Sequence, residues 1–113
     1  MERDLDLIRL LLLELEGKQV DMSAYDAAQI NYHKQLLLDA HLAEGSVSHR
    51  LGDPTGYVIL KRLTSNGHDY LDAIRDDTLW AKVKRELTKR GGDLTFTAIK
   101  AIAIQVVTGQ IQI

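Results

Sequence analysis

The sequence predicts a mostly helical α+β domain, with helices at both ends and one small antiparallel hairpin between them. Three observations predict it. Apolar residues recur at helical spacing in segments that cover most of the chain. Two β-prone runs, residues 42–48 and 57–63, flank the turn-rich stretch His49-Arg50-Leu51-Gly52-Asp53-Pro54-Thr55-Gly56. The chain has 113 residues, 45% of them hydrophobic and 27% charged, which fits one folded domain with one real core.

Each element has its own warrant. Asp4 to Glu16 reads as a helix, with Leu5, Ile8, Leu12 and Leu15 on one face, Asp4 as cap and Gly17 as stop. Leu7, Leu10, Leu11 and Leu13 widen its apolar surface, so it should pack on two sides. Ser23 is a candidate cap for a short helix over about 24–28, followed by a longer one over about 29–41 carrying Ile30, Leu37 and Leu38. The stretch between the β-prone runs is too long for a tight hairpin turn and predicts an exposed loop at the tip. Lys18 to Met22 is a candidate third strand. Thr64 or Ser65 caps the next helix, to about Arg75, with Tyr70, Leu71 and Ile74 inward. Asp77 is the expected cap of a helix to about Arg90, stopped by Gly91-Gly92, with Trp80, Val83 and Leu87 inward and Lys82, Arg85 and Lys89 opposite. A last helix starts near Thr95 with Phe96, Ile99, Ile102, Ala103 and Val106; the β-branched run from Ile104 to Ile113 leaves a strand as the rival there. The expected core is Leu5, Ile8, Leu12, Leu15, Ile30, Leu37, Leu42, Val58, Leu60, Leu71, Ile74, Trp80 and Val83.

Helix, short helix, longer helix, two strands around a loop and further helices is the winged helix-turn-helix order, here with a C-terminal helical extension. Residues 1–75 would form the winged-helix core and 76–113 the extension, packed as one structural domain. Two fragments carry the same reading. Ile30-Asn31-Tyr32-His33-Lys34-Gln35-Leu36-Leu37-Leu38-Asp39-Ala40-His41-Leu42 resembles the V-S-x-H-L-x-x-L-x-x-A-G-L of bacterial winged-helix regulators. Leu63-Thr64-Ser65-Asn66-Gly67 resembles the L-T-x-x-G that closes the wing. Lys34 stands where those regulators carry an apolar residue, and His41 where they carry the glycine.

A longer resemblance covers about residues 2–107. Arg3-Asp4-Leu5-Asp6-Leu7-Ile8-Arg9, Tyr32-His33 with Leu36-Leu37, Arg62-Leu63-Thr64 with Gly67-His68-Asp69-Tyr70-Leu71-Asp72-Ala73-Ile74-Arg75-Asp76-Asp77, and Trp80 resemble domain of unknown function 2513. This is an uncharacterised bacterial and bacteriophage family. The resemblance implies a phage or prophage setting and brings no activity with it.

Composition excludes several classes of function. There are no cysteines, so a disulfide framework and thiolate metal sites are out and a reducing cytoplasm fits. The acidic start is not that of a secretory signal, and the longest apolar run is too short to cross a membrane. Net charge is −2, split into −5 over residues 1–56 and +3 over 57–113. His33 and His41 would stand about 12 Å apart along one helix, too far to share an ion. His33 therefore reads as a packing residue and the other histidines as surface residues, with no metal and no cofactor. Asp69, Asp72, Asp76 and Asp77 read as a capped helix junction with Arg75 in an ion-pair network. No nucleophile motif or phosphate-cradling loop is present, and catalysis is not expected.

The expected function is DNA binding in a phage or prophage regulator. On that reading Gln29, Asn31, Tyr32, Lys34 and Gln35 face the major groove, and His49 and Arg50 touch backbone or minor groove from the wing. From Ser23 to Leu42 there is one lysine, no arginine and two acids, which is poor for phosphate contact. The basic face of Lys82, Arg85 and Lys89, with Lys84 and Arg90, is the candidate source of phosphate contacts, against the plain reading of a solvated helix face. The alternative is a protein-binding winged helix acting on a host protein through its acidic half: Glu14, Glu16, Asp21, Asp26 and Glu44. A homodimer through the first helix and the C-terminal helices is compatible with either.

Overall fold

The computed structural model describes residues 2–49, 51–52, 56–91 and 95–109. It is a mostly helical α+β chain. The elements run α1 (Leu5–Leu15), α2 (Ala27–Asp39), β1 (Ala43–Ser48), β2 (Tyr57–Leu63), α3 (Ser65–Ile74), α4 (Asp77–Lys89) and α5 (Phe96–Val107). They group into two compact units, Met1–His68 and Asp69–Ile113.

In the first unit, α1 packs on α2 and β2, and α2 packs on both strands. The start of α1 is set by Asp4, whose carboxylate accepts from the Leu7 amide at 3.1 Å. Its end is set by Gly17 at φ 95°, with Lys18 N–H donating to Leu13 carbonyl at 3.1 Å. Leu7, Ile8, Leu11 and Leu12 are its buried face. The stripe read from the sequence lies slightly off this one. Ile8 and Leu12 are buried as expected, but Leu5 and Leu15 are only half-buried, as are Ile30 in α2 and Leu60 in β2. In a helix with leucine on every side, periodicity fixes the element but hardly its rotation.

The short helix expected over 24–28 is absent. Asp26 and Gln29 form a capping box, Gln29 N–H to Asp26 Oδ1 at 2.8 Å and Asp26 N–H to Gln29 Oε1 at 2.9 Å. The box starts α2 at Ala27 and leaves only a turn at residues 23–25, closed by Tyr25 N–H to Met22 carbonyl at 3.0 Å. Ser23 belongs to that turn, donating its amide to Asp21 Oδ1 at 2.9 Å. A turn thus stands where a helix-turn-helix pair would place its first helix.

The hairpin occupies the expected residues. Among the described residues its sheet has two strands, so Lys18 to Met22 adds none. Glu44 pairs with Arg62 and Gly45 with Leu60, so Lys61 is the extra residue of a β-bulge. Gly45 is required there, because a Cβ would overlap the Ile59 carbonyl oxygen.

In the second unit, Tyr70, Leu71 and Ile74 of α3 are buried, as are Trp80, Val83 and Leu87 of α4 and Ile99, Ile102 and Ala103 of α5. The cap of α4 is Asp76, not Asp77. Asp76 is extended at φ −70°, ψ 130° and its carboxylate accepts from Leu79 N–H at 2.7 Å, while Asp77 is already in the first turn. Thr95 caps α5 through Ala98 N–H at 3.1 Å. Residues 104–107 are helical, and the rest of the possible strand, from 110 on, lies outside the described residues.

Candidate binding surface

The residues expected to read DNA sit on α2 and the hairpin of the first unit, and most of their polar groups already have partners. Gln29 is held in the capping box. Asn31 uses both ends of its amide: Nδ2 donates to the Gly56 carbonyl at 3.2 Å and Oδ1 accepts from Val58 N–H at 2.8 Å. It therefore ties α2 to the first residues of β2. Gln35 donates to Asp39 Oδ1 at 3.0 Å one turn along. Lys34 places its ammonium 5.9 Å from the centre of the Tyr57 ring, a cation–π contact. Tyr32 stands edge-on to the His33 ring at 5.3 Å. Every residue from Gln29 to Leu38 is at least half-buried, and Ala27, Ala28 and Asp39 are the exposed residues of α2. His49 is exposed at the start of the loop, and Arg50 lies outside the described residues.

His33 is a packing residue, as expected. It is 1% exposed. Nδ1 meets the Gln29 carbonyl at 2.7 Å, and Nε2 accepts the Asp4 amide at 2.8 Å. Those two bonds require the neutral tautomer with its proton on Nδ1. They join the cap of α1 to the first turns of α2. Tyr25 belongs to the same corner. Burial first, then the negative charges of Asp4 and Asp6 and a hydrogen bond with Asp4, hold its phenol above the usual tyrosine value.

The exit from α2 explains His41. Its φ is +58°, the left-handed conformation that a glycine adopts most easily. Leu42 N–H donates to Leu37 carbonyl at 3.0 Å and His41 N–H to Leu38 carbonyl at 3.1 Å, the Schellman pattern. The histidine thus takes the turn that winged-helix regulators give to glycine. Thr64 closes the other side of this corner. Its hydroxyl donates to the His41 carbonyl at 2.6 Å and accepts from Gly67 N–H at 3.0 Å. Gly67 has no room for a side chain, since a Cβ would overlap the Leu42 carbonyl oxygen.

What α2 does not expose, the hairpin does. Tyr57 is 57% and Ile59 47% exposed. They pair across the strands with Ser48 and Ser46, so all four share one outward face. Leu51 in the loop is fully exposed, and Val47 is partly so. The expected core already placed Val58 and Leu60 inward and so left Tyr57 and Ile59 outward, but their exposure as a binding face was not read from the sequence. Of the acidic residues weighed as a protein-binding surface, Glu14 and Asp21 are exposed, Asp26 caps α2, and Glu44 holds Arg62 through two hydrogen bonds of 2.8 Å.

The second unit accounts for its carboxylates in the same way. Arg75 meets Asp72 at 2.6 Å, Lys100 lies 3.9 Å from Asp69, and Asp76 is the α4 cap. Among the described residues, no three His, Asp or Glu side chains gather as metal ligands would.

A family model described as "Hypothetical protein (DUF2513)" matches residues 2–93, most of the chain. The chain belongs to this family. An uncharacterized protein of Haemophilus influenzae is similar to it, 33% identical over 116 aligned residues that cover 96% of this chain and 97% of that protein. No solved structure matches. No helix among the described residues of this DUF2513 chain is long and apolar enough to cross a membrane.

Proposed function

We propose that the chain is a non-catalytic binding module of winged-helix type whose partner is a protein, engaged by the outward face of the β1–β2 hairpin. The observation that carries this reading is the exposure of Tyr57 and Ile59 on one face of a hairpin fixed from behind by Asn31. Exposed aromatic and aliphatic side chains on a rigid element supply the anchors that protein interfaces use. The seven Lys/Arg against ten Asp/Glu in residues 1–68 fit a protein partner better than a phosphate backbone. The phage or prophage setting implied by the family resemblance makes a host protein the natural candidate.

One observation favours the rival, a DNA-binding regulator reading through α2. The left-handed turn at His41 and the Thr64–Gly67 closure are the local geometry a wing needs behind a recognition helix. Capture from a bacterial host extract by immobilised chain separates the two. A protein retained by the wild type and lost with Tyr57→Asp and Ile59→Asp, both folded by circular dichroism, is the expected result. Retention indifferent to both substitutions overturns the hairpin reading. Sequence-selective DNA binding abolished by Lys34→Glu establishes the rival.

A further inference from the structure

A different surface lies on α4 of the second unit. In α4, Lys82, Arg85 and Lys89 follow one another at helical spacing, opposite the buried Trp80, Val83 and Leu87. Their Cα atoms span about 10 Å along the axis. The acid within this run, Glu86, is turned inward, 9% exposed, and holds Arg90 at 3.0 Å, with Lys89 at 4.0 Å. Lys82 and Arg85 are in no ion pair among the described residues. Thr78 is exposed beside the stripe, Thr88 donates its hydroxyl to the Lys84 carbonyl at 3.0 Å, and the large exposed apolar side chains among the described residues all lie elsewhere.

We propose that the Lys82–Arg85–Lys89 stripe binds the phosphate backbone of nucleic acid without reading its sequence. A row of cations beside an exposed hydroxyl is what backbone contacts use. An acidic protein would need, besides the charges, an apolar anchor at the centre of its contact, and α4 offers none on this face. The stripe also answers a difficulty of the α2 reading. The polar groups of α2 are engaged in holding the first unit together, whereas Arg85 and Lys89 are exposed and Lys82 is half-buried with no carboxylate partner among the described residues.

The test is fluorescence anisotropy with a labelled mixed-sequence duplex of about 20 base pairs at about 50 and 200 mM salt, where counterion release is visible. The wild type binds at the lower salt and weakens tenfold or more at the higher. Lys82→Glu with Arg85→Glu lowers affinity at least tenfold and flattens the salt slope by about two. Lys18→Glu with Lys61→Glu makes the same change in net charge in the first unit and leaves binding within about threefold. Lys82→Gln with Arg85→Gln gives an intermediate loss, and circular dichroism verifies that each variant is folded. No duplex binding by the wild type, or equal losses in the two charge-reversed pairs, overturns the proposal. So does displacement by polyglutamate at the same charge concentration as by unlabelled DNA, which would make the stripe an acidic-protein site.

Discussion

At the scale of single residues, backbone conformation and close approach decide what a position tolerates. His41 occupies a left-handed turn without being glycine, a conformation that costs an ordinary residue about 1–2 kcal/mol. Glycine relieves that strain but is freer in the unfolded chain, so His41→Gly should stabilise the protein by about 0.5–1 kcal/mol. Urea denaturation measures it, and a destabilised variant would mean that the imidazole contributes more than the turn costs. Gly67 is the opposite case. Gly67→Ala should lower stability by about 1–3 kcal/mol, because the new methyl group must push against the Leu42 carbonyl and not a yielding side chain. The distance of His33 from His41 along the helix made it read as a packing residue. Its second bond, from the Asp4 amide twenty-nine residues away, has no signature in the sequence.

At the scale of elements, capping decides boundaries and makes them testable. The sequence offers two adjacent aspartates before α4, and nothing local distinguishes them. The structure gives the cap to Asp76, which alone bonds the Leu79 amide. Asp76→Ala should cost about 0.5–2 kcal/mol in thermal or urea unfolding, and Asp77→Ala less. The reverse order would shift the helix by one residue. The start of α2 was misjudged for a related reason. Asp26-x-x-Gln29 is a capping box, and it competes directly with the turn at Ser23 for the beginning of the helix. The hairpin strands were legible to within a residue because turn residues bound them on the loop side. Their faces were legible in part: Val58 is buried as expected, but Leu60 is only half-buried in a strand that is apolar at four successive positions. The burial of β2 residues is set by α1 and α2 packing on one side only, which is tertiary information.

At the scale of the whole chain, charge and apolar exposure are divided unevenly. Residues 1–68 carry seven Lys/Arg against ten Asp/Glu, and residues 69–113 seven against six. The uneven split of charge read from the sequence also holds between the two units, but the groups available for binding are fewer than the count implies, because caps and ion pairs engage many of the acids. Exposed apolar groups lie on the hairpin and at the end of α5, where Ile104 and Val107 are 48% and 67% exposed; no leucine or isoleucine of α1 is comparably exposed. If the chain self-associates, α5 is the better candidate of the two helices first considered. Val107→Glu should then convert a sedimenting dimer to monomer, while a wild type that sediments as a monomer at all concentrations removes the dimer from the account.

The central claim is that the polar face of α2 holds the hairpin in place and does not read bases. Asn31 tests it most directly, since a base-reading asparagine is dispensable for folding and a bracing one is not. Removing its amide leaves the part-buried Val58 N–H and Gly56 carbonyl without their partner, which should cost about 1–3 kcal/mol. The measurement is urea unfolding of Asn31→Ala beside the wild type. A clear drop in midpoint with an unchanged slope is the predicted result, and wild-type stability together with loss of sequence-selective DNA binding would contradict it.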